Sequence, residues 1–191
     1  VLPEYAADGV TVEQGQVHIK TPAQLRDFLN YCTPAAATLD GNTVTLTKDA
    51  MICYDINLEA NFDGVFDLGG KTLTHNSGSS GWMLATKDGV TLTLKNGTMI
   101  ALCHPALFQY GGTVTLDGMT MDGASSAVEI MLGSFTMTDT TIQVLDRGQH
   151  EWDPDGKAYT SALRLYADAT VSIVSGTLKN AFTQGYTFKS G

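Results

Sequence analysis

Five stretches of this chain place apolar side chains at alternate positions and then break the alternation at the same point. They are "LGGKTL" from Leu68, "LKNGTM" from Leu94, "LDGMTM" from Leu116, "MTDTTI" from Met137 and "IVSGTL" from Ile173. Two residues before each phrase another apolar residue recurs: Phe66, Leu92, Val114, Phe135 and Val171. Alternation of this kind predicts a strand with one buried face. The third place holds Gly70, Asn96, Gly118, Asp139 or Ser175, residue types that accept a left-handed or side-chain-bonded bend. The fifth place is always threonine (Thr72, Thr98, Thr120, Thr141, Thr177), and the sixth is apolar again. Each phrase therefore predicts a corner between two strands.

The phrases begin at 68, 94, 116, 137 and 173, in steps of 26, 22, 21 and 36, and a weaker copy, "LTKDAM" at 46, adds a first step of 22. A period in the low twenties is that of a stacked repeat. Another apolar patch precedes the later corners: "GWMLA" at 81, "ALFQY" at 106, "AVEIM" at 127 and "ALRLY" at 162. Three strands per turn predict an all-β chain, a parallel β-helix of about six or seven coils with backbone hydrogen bonds running between coils roughly 4.8 Å apart. Parallel crossovers are overwhelmingly right-handed, so that hand is expected.

Raw sheet edges invite pairing with other chains, and "KTPAQLRDFLNYC" supplies a cover. Thr21 is placed to cap a helix, Pro22 to open it, and Leu25, Phe28 and Leu29 share one face. Ahead of it, "GVTVEQGQVHI" predicts a hairpin with Val10, Val12, Val17 and Ile19 inward. The expected organisation is one domain over 1–191, with 1–35 as hairpin and capping helix and 36–191 as coils. No matching plug follows Phe182, so a neighbouring domain or partner is expected to cover the last coil.

With these motifs in hand, the chain resembles the pectate-lyase-like right-handed parallel β-helix superfamily. The stretch "VTLTKDAMICYDINLEANFDGVFDLGGKTLTHN" is similar to segments of large bacterial surface proteins. The resemblance covers about residues 17–188 and implies an extracellular or cell-surface location. It implies no particular chemistry, because that superfamily holds lyases, hydrolases and esterases beside tailspikes and adhesins. No catalytic signature of those enzymes is present to carry over.

Composition narrows the partners. With 43% hydrophobic residues the chain can build a continuous core, and its net charge of −9 argues against nucleic acid and anionic membrane surfaces. No apolar run approaches the roughly 18 residues that span a bilayer, and the opening "VLPEYAADG" has neither the basic start nor the apolar centre of a signal peptide. Cys32, Cys53 and Cys103 stand at no metal-ligand spacing and read as three small buried hydrophobes, although one disulfide among them remains open. The histidines, His18, His75, His104 and His150, fall on different coils without a cluster spacing.

Candidate chemistry gathers beside the third strand. The longest step carries a polar insertion, "DRGQHEWDPDGKAY", from Asp146 to Tyr159. If Leu107, Val128 and Leu163 point inward, then Phe108, Glu129 and Arg164 point outward, with Tyr110, Met131 and Tyr166 two places on. Those aromatics with Trp152 and Asp153 predict a groove for a sugar chain, ring faces meeting apolar CH groups and charged edges meeting hydroxyls. Glycoside hydrolysis would need two carboxyls across the bond, for which Glu129, Glu151 and Asp153 are the candidates, and a lyase would want a base and a charge-neutralising cation, for which Arg164 or His150 could be recruited. Within "EWDPDG", Glu151, Asp153 and Asp155 match the opening of a calcium loop, but Ala162 stands where its bidentate acid belongs, and the same residues make a plain β-turn. A double column of hydroxyls (Thr91 and Thr93, Thr113 and Thr115, Ser134 and Thr136, Thr170 and Ser172), interrupted at Val65 and Asp67, resembles ice-binding faces and is equally ordinary for exposed strand. The expected function is non-catalytic binding of carbohydrate or another extracellular partner, with no cofactor beyond a possible calcium ion. The alternative is a polysaccharide lyase or glycoside hydrolase acting along the same face.

Overall fold

The structure, a computed structural model, describes residues 10–76, 81–124, 126–144, 161–166, 168–180 and 186–188, with residues 180 and 186–188 described for their backbone alone. The chain opens with β1 (Thr11–Glu13), β2 (Gln16–Ile19), α1 (Pro22–Cys32), β3 (Ala37–Asp40), β4 (Thr43–Leu46), β5 (Ala50–Ile52) and β6 (Asp55–Leu58). It continues through β7 (Asp63–Asp67), β8 (Thr72–His75), β9 (Leu84–Thr86), β10 (Thr91–Ala101), β11 (Leu107–Gln109), β12 (Thr113–Gly123) and β13 (Ser126–Ile130). The last described strands are β14 (Gly133–Thr138), β15 (Thr140–Val144), β16 (Ser161–Leu165), β17 (Ala169–Ile173), β18 (Gly176–Asn180) and β19 (Tyr186–Phe188). The protein is thus mostly β, with one helix among the described residues.

Pairing is dominated by parallel neighbours from successive repeats, in three columns. The first runs β2, β6, β9, β11, β13, β16. The second runs β4, β7, the first half of β10, the first half of β12, β14, β17. The third runs β5, β8, the second halves of β10 and β12, β15, β18. Among the described residues three pairs are antiparallel: β1 with β2, β3 with β4, and β18 with β19. The buried residues of all three columns belong to one apolar cluster, and each fully buried Leu, Ile or Phe contributes roughly 1.5–3 kcal/mol.

The corner phrases align in space as they do in sequence. Thr72, Thr98, Thr120, Thr141 and Thr177 are successive register partners, and so are Leu73, Met99, Met121, Ile142 and Leu178. At the bend, Asn96, Gly118, Asp139 and Gly70 adopt positive φ, a conformation that costs little for glycine, asparagine and aspartate. In β10 and β12 the bend is tight enough that one strand runs unbroken from the second column into the third.

Two alignments need correction. Leu94 pairs with Phe66, and Leu92 with Gly64, so Phe66 does not share a rung with Leu92. The bend between β7 and β8 is two residues longer than the later ones, and Leu68 folds into it, fully buried, donating its N–H to the Lys95 carbonyl at 2.9 Å. The weak copy is out by one residue: Ala50 pairs with Leu73, so Ala50 and Ile52 face the core while Met51 is 54% exposed. The hydroxyl columns lie in register, but Asp63 and Val65, not Val65 and Asp67, are the residues beside Thr91 and Thr93.

The terminal elements follow the expected rules. Gln14 and Gly15, both at positive φ, turn β1 into β2, and Val12 faces Val17 across the pair. Thr21 accepts the Gln24 N–H at 3.2 Å while Gln24 Oε1 accepts the Lys20 N–H at 2.7 Å, a reciprocal cap worth about 1 kcal/mol. Leu25, Phe28 and Leu29 are buried, and α1 packs on β2, β3, β4, β5 and β7. Among the described residues no helix is long and apolar enough to cross a membrane.

Candidate functional site

The first column presents one outward row across six strands. His18 pairs with Asn57, Asn57 with Ala85, Ala85 with Phe108, Phe108 with Glu129 and Glu129 with Arg164. At roughly 4.8 Å per strand this row spans about 24 Å. Behind it the inward partners Ile56, Leu84, Leu107 and Val128 are fully buried, which fixes the row on a rigid base.

Four rings gather on the middle of the row. Phe108 and Tyr110 stack at 4.3 Å between centroids with 26° between planes. Trp82 stands edge-on to Tyr110 at 5.3 Å and tilted against Phe108 at 5.7 Å, and Tyr166 lies 6.5 Å from Phe108 at 30°. The Trp82 indole N–H donates to Asn57 Oδ1 at 3.0 Å, which anchors that ring from beneath. Tyr110 and Tyr166 keep about two-fifths of their surface, at 38% and 42%, so this shelf is open to a ligand.

Glu129 sits beside the rings and is more enclosed than its outward position suggests. Its side chain is 7% exposed, because three groups close over it. The Ser126 hydroxyl donates to Oε1, Arg164 Nη1 lies 3.2 Å from the same oxygen, and the Tyr166 hydroxyl donates to Oε2 at 2.9 Å. Burial raises the Tyr110 phenol above its ordinary pKa, with the nearby Glu129 charge and Tyr166 adding to that effect. Tyr110 consequently stays a neutral hydrogen-bond donor.

At the far end of the row lies a second polar group. His18 Nδ1 is 2.6 Å from Glu59 Oε1, and Lys87 Nζ reaches both Glu59 oxygens at 2.9 and 2.8 Å. Thr11, Glu13 and Lys20 complete a concavity of about 320 Å³ around them. Burial pushes the Glu59 carboxyl up, but hydrogen bonds and charge from Lys87 and His18 outweigh it and hold the group below the usual carboxylate range. A depressed folded pKa gives stability that is present above the ordinary carboxylate pKa and lost as acid protonates Glu59. Lys87→Met should therefore destabilise by about 0.5 kcal/mol at neutral pH, a small value because Lys87 is 45% exposed. Melting curves of parent and variant should converge on acidification.

The structure thus brings together Phe108, Tyr110, Glu129, Arg164 and Tyr166, and adds Trp82, which the sequence reading passed over and which alternation would have turned inward, since it stands two residues before the inward Leu84. Trp152, the catalytic candidate Asp153, and the calcium candidates Glu151, Asp153 and Asp155 lie outside the described residues. Among the described residues no group of three or more His, Cys, Asp or Glu side chains could hold a metal ion. The histidines have separate settings: His75 is wholly buried with Nε2 3.0 Å from Asp55 Oδ1, itself wholly buried. That approach lies outside good hydrogen-bond geometry, so among the described residues neither ring nitrogen of His75 has a hydrogen-bond partner. The cysteines are not three buried hydrophobes, since Cys103 is exposed and Cys32 and Cys53 are half-buried. Comparison with known protein families, curated proteins and solved structures returns no match to the chain, and the site is read from its own geometry.

Proposed function

We propose that the chain is a right-handed parallel β-helix of about six or seven coils, similar to the pectate-lyase-like superfamily, and that it serves as an extracellular or cell-surface bacterial module holding a carbohydrate chain along its first column. The three columns of in-register parallel pairs, with α1 packed across the first strands of all three, support the architecture. The observation that carries the function is the shelf of Trp82, Phe108, Tyr110 and Tyr166 beside Glu129 and Arg164. Ring faces take the apolar CH surface of a sugar, and the Tyr110 and Tyr166 hydroxyls with the Arg164 guanidinium offer polar contacts at its edge.

Binding without turnover is favoured by the state of Glu129. Its two oxygens already accept from Ser126, Arg164 and Tyr166, an arrangement that orients those groups and takes up three of the roughly four acceptor sites of the carboxylate. Oligosaccharides titrated into the full chain should bind with no new reducing ends or unsaturated products. Phe108→Ala should weaken binding about tenfold, the loss of one stacked ring, with the melting temperature as a control for folding. Unchanged affinity in that variant would remove the shelf from the site. Product release abolished by Glu129→Gln or Asp153→Asn would replace a binding face with a lyase or hydrolase groove.

A further inference from the structure

Two of the three thiols meet at the end of the terminal helix. Phe28 and Cys32 are one turn apart on the same face of α1, and that face lies against the segment following β5. The Phe28 and Tyr54 rings pack edge to face at 6.2 Å and 71°. One turn on, the Thr33 hydroxyl accepts the Met51 N–H at 3.0 Å and donates to the Met51 carbonyl at 3.1 Å. Between these two fixed contacts stand Cys32 and Cys53, each half-buried against the core. Cys103 is exposed on the loop after β10 and takes no part in this contact.

We propose that Cys32 and Cys53 are a redox pair that closes into a disulfide on exchange with an external disulfide donor, stapling the C-terminal end of α1 to the first strand of the third column. The contacts on either side, Phe28 with Tyr54 and Thr33 with Met51, bring the two cysteines to the same junction of helix and strand. Cys53 begins the exchange. Burial, with the Cys53 charge beside it, pushes the Cys32 thiol up to about 12, whereas the hydrogen bond from Cys32 offsets part of the burial effect on Cys53. The Cys53 thiolate attacks one sulfur of the donor and expels a donor thiolate, leaving a mixed disulfide. Cys32 then attacks the Cys53 sulfur, giving up its proton and expelling the second donor thiolate. Two thiols have become one disulfide, and the donor disulfide has become two thiols that carry the two protons.

The closed loop of about twenty residues should raise the melting temperature by about 8 °C over the reduced protein. The full chain carrying Cys103→Ser, incubated with oxidised glutathione, should lose two hydrogen atoms in mass, and trypsin should release segments 27–48 and 49–71 as one cross-linked species. In the parent, Cys103 should be the one cysteine left either alkylatable or carrying a glutathione. The oxidant-dependent rise in melting temperature should vanish in Cys53→Ser. The proposal is overturned if Cys32 and Cys53 stay alkylatable after oxidation, if each keeps its own glutathione, or if the parent bridge forms to Cys103. The mass measurement on Cys103→Ser decides this even if Cys53→Ser does not fold.

Discussion

Phe66→Ala should lower the thermal midpoint by about 12 °C, the effect of losing about 4 kcal/mol in a chain of this length. Phe66 is fully buried and stands between Val44 and Leu94 in the second column, so truncation leaves a cavity with well-packed walls on both sides. Collapse around it is restricted because the flanking strands are held in register by backbone pairs. A double-mutant cycle sharpens the test. Phe66 and Leu94 should couple by about 1 kcal/mol, and Phe66 and Leu92 by less, because the rung joins the first pair and places Gly64 beside Leu92. Equal or reversed coupling would restore the alignment that the repeat suggests.

Gly97→Ala should cost about 3 kcal/mol, a fall of about 9 °C, although the repeat gives no warning of it. The fourth place of the phrase is Lys71, Gly97, Met119, Thr140 or Gly176, which reads as tolerant. In the fold, a Cβ on Gly97 would stand 2.3 Å from Leu68 Cβ and 2.7 Å from the Lys71 carbonyl oxygen. Neither can retreat freely, since Leu68 is bonded to Lys95 through its backbone and the Thr98 N–H is bonded to that same Lys71 carbonyl at 3.0 Å. Chemical or thermal unfolding of the variant measures the cost. A neutral result would mean that the longer bend before β8 does not press on β10.

Both predictions come from one bend, and it shows why the repeat was legible and its register only partly so. A strand shifted by two residues keeps every side chain on its original face. Phe66 and Leu68 are both apolar and both buried, so alternation alone accepts either as the partner of Leu94. The one-residue slip at Ala50 is different, because it turns Met51 outward, and the sequence offered Met51 for the apolar place simply because it is apolar. The site divides in the same way. Alternation from Leu107, Val128 and Leu163 was enough to send Phe108, Glu129 and Arg164 to one face. The closing of Arg164 and Tyr166 over Glu129 depends on side chains reaching it from 35 and 37 residues away in the chain, and no local pattern records it.

The meeting of Thr33 with Met51 and that of Asp55 with His75 belong to this second kind. What the amino-acid order fixed unaided was the recurrence of the strands about the five corner phrases, their inward faces, the threonine-marked corners and the capped helix, because each is written in spacing of two or of three to four residues and in the backbone preferences of Gly, Asn, Thr and Pro. What folding alone decided was which rung meets which across the longer bend, how four aromatic rings lean on one another, and which thiols and charges become neighbours. Those depend on packing between segments far apart in the chain, where shape and room, not periodicity, select the partner.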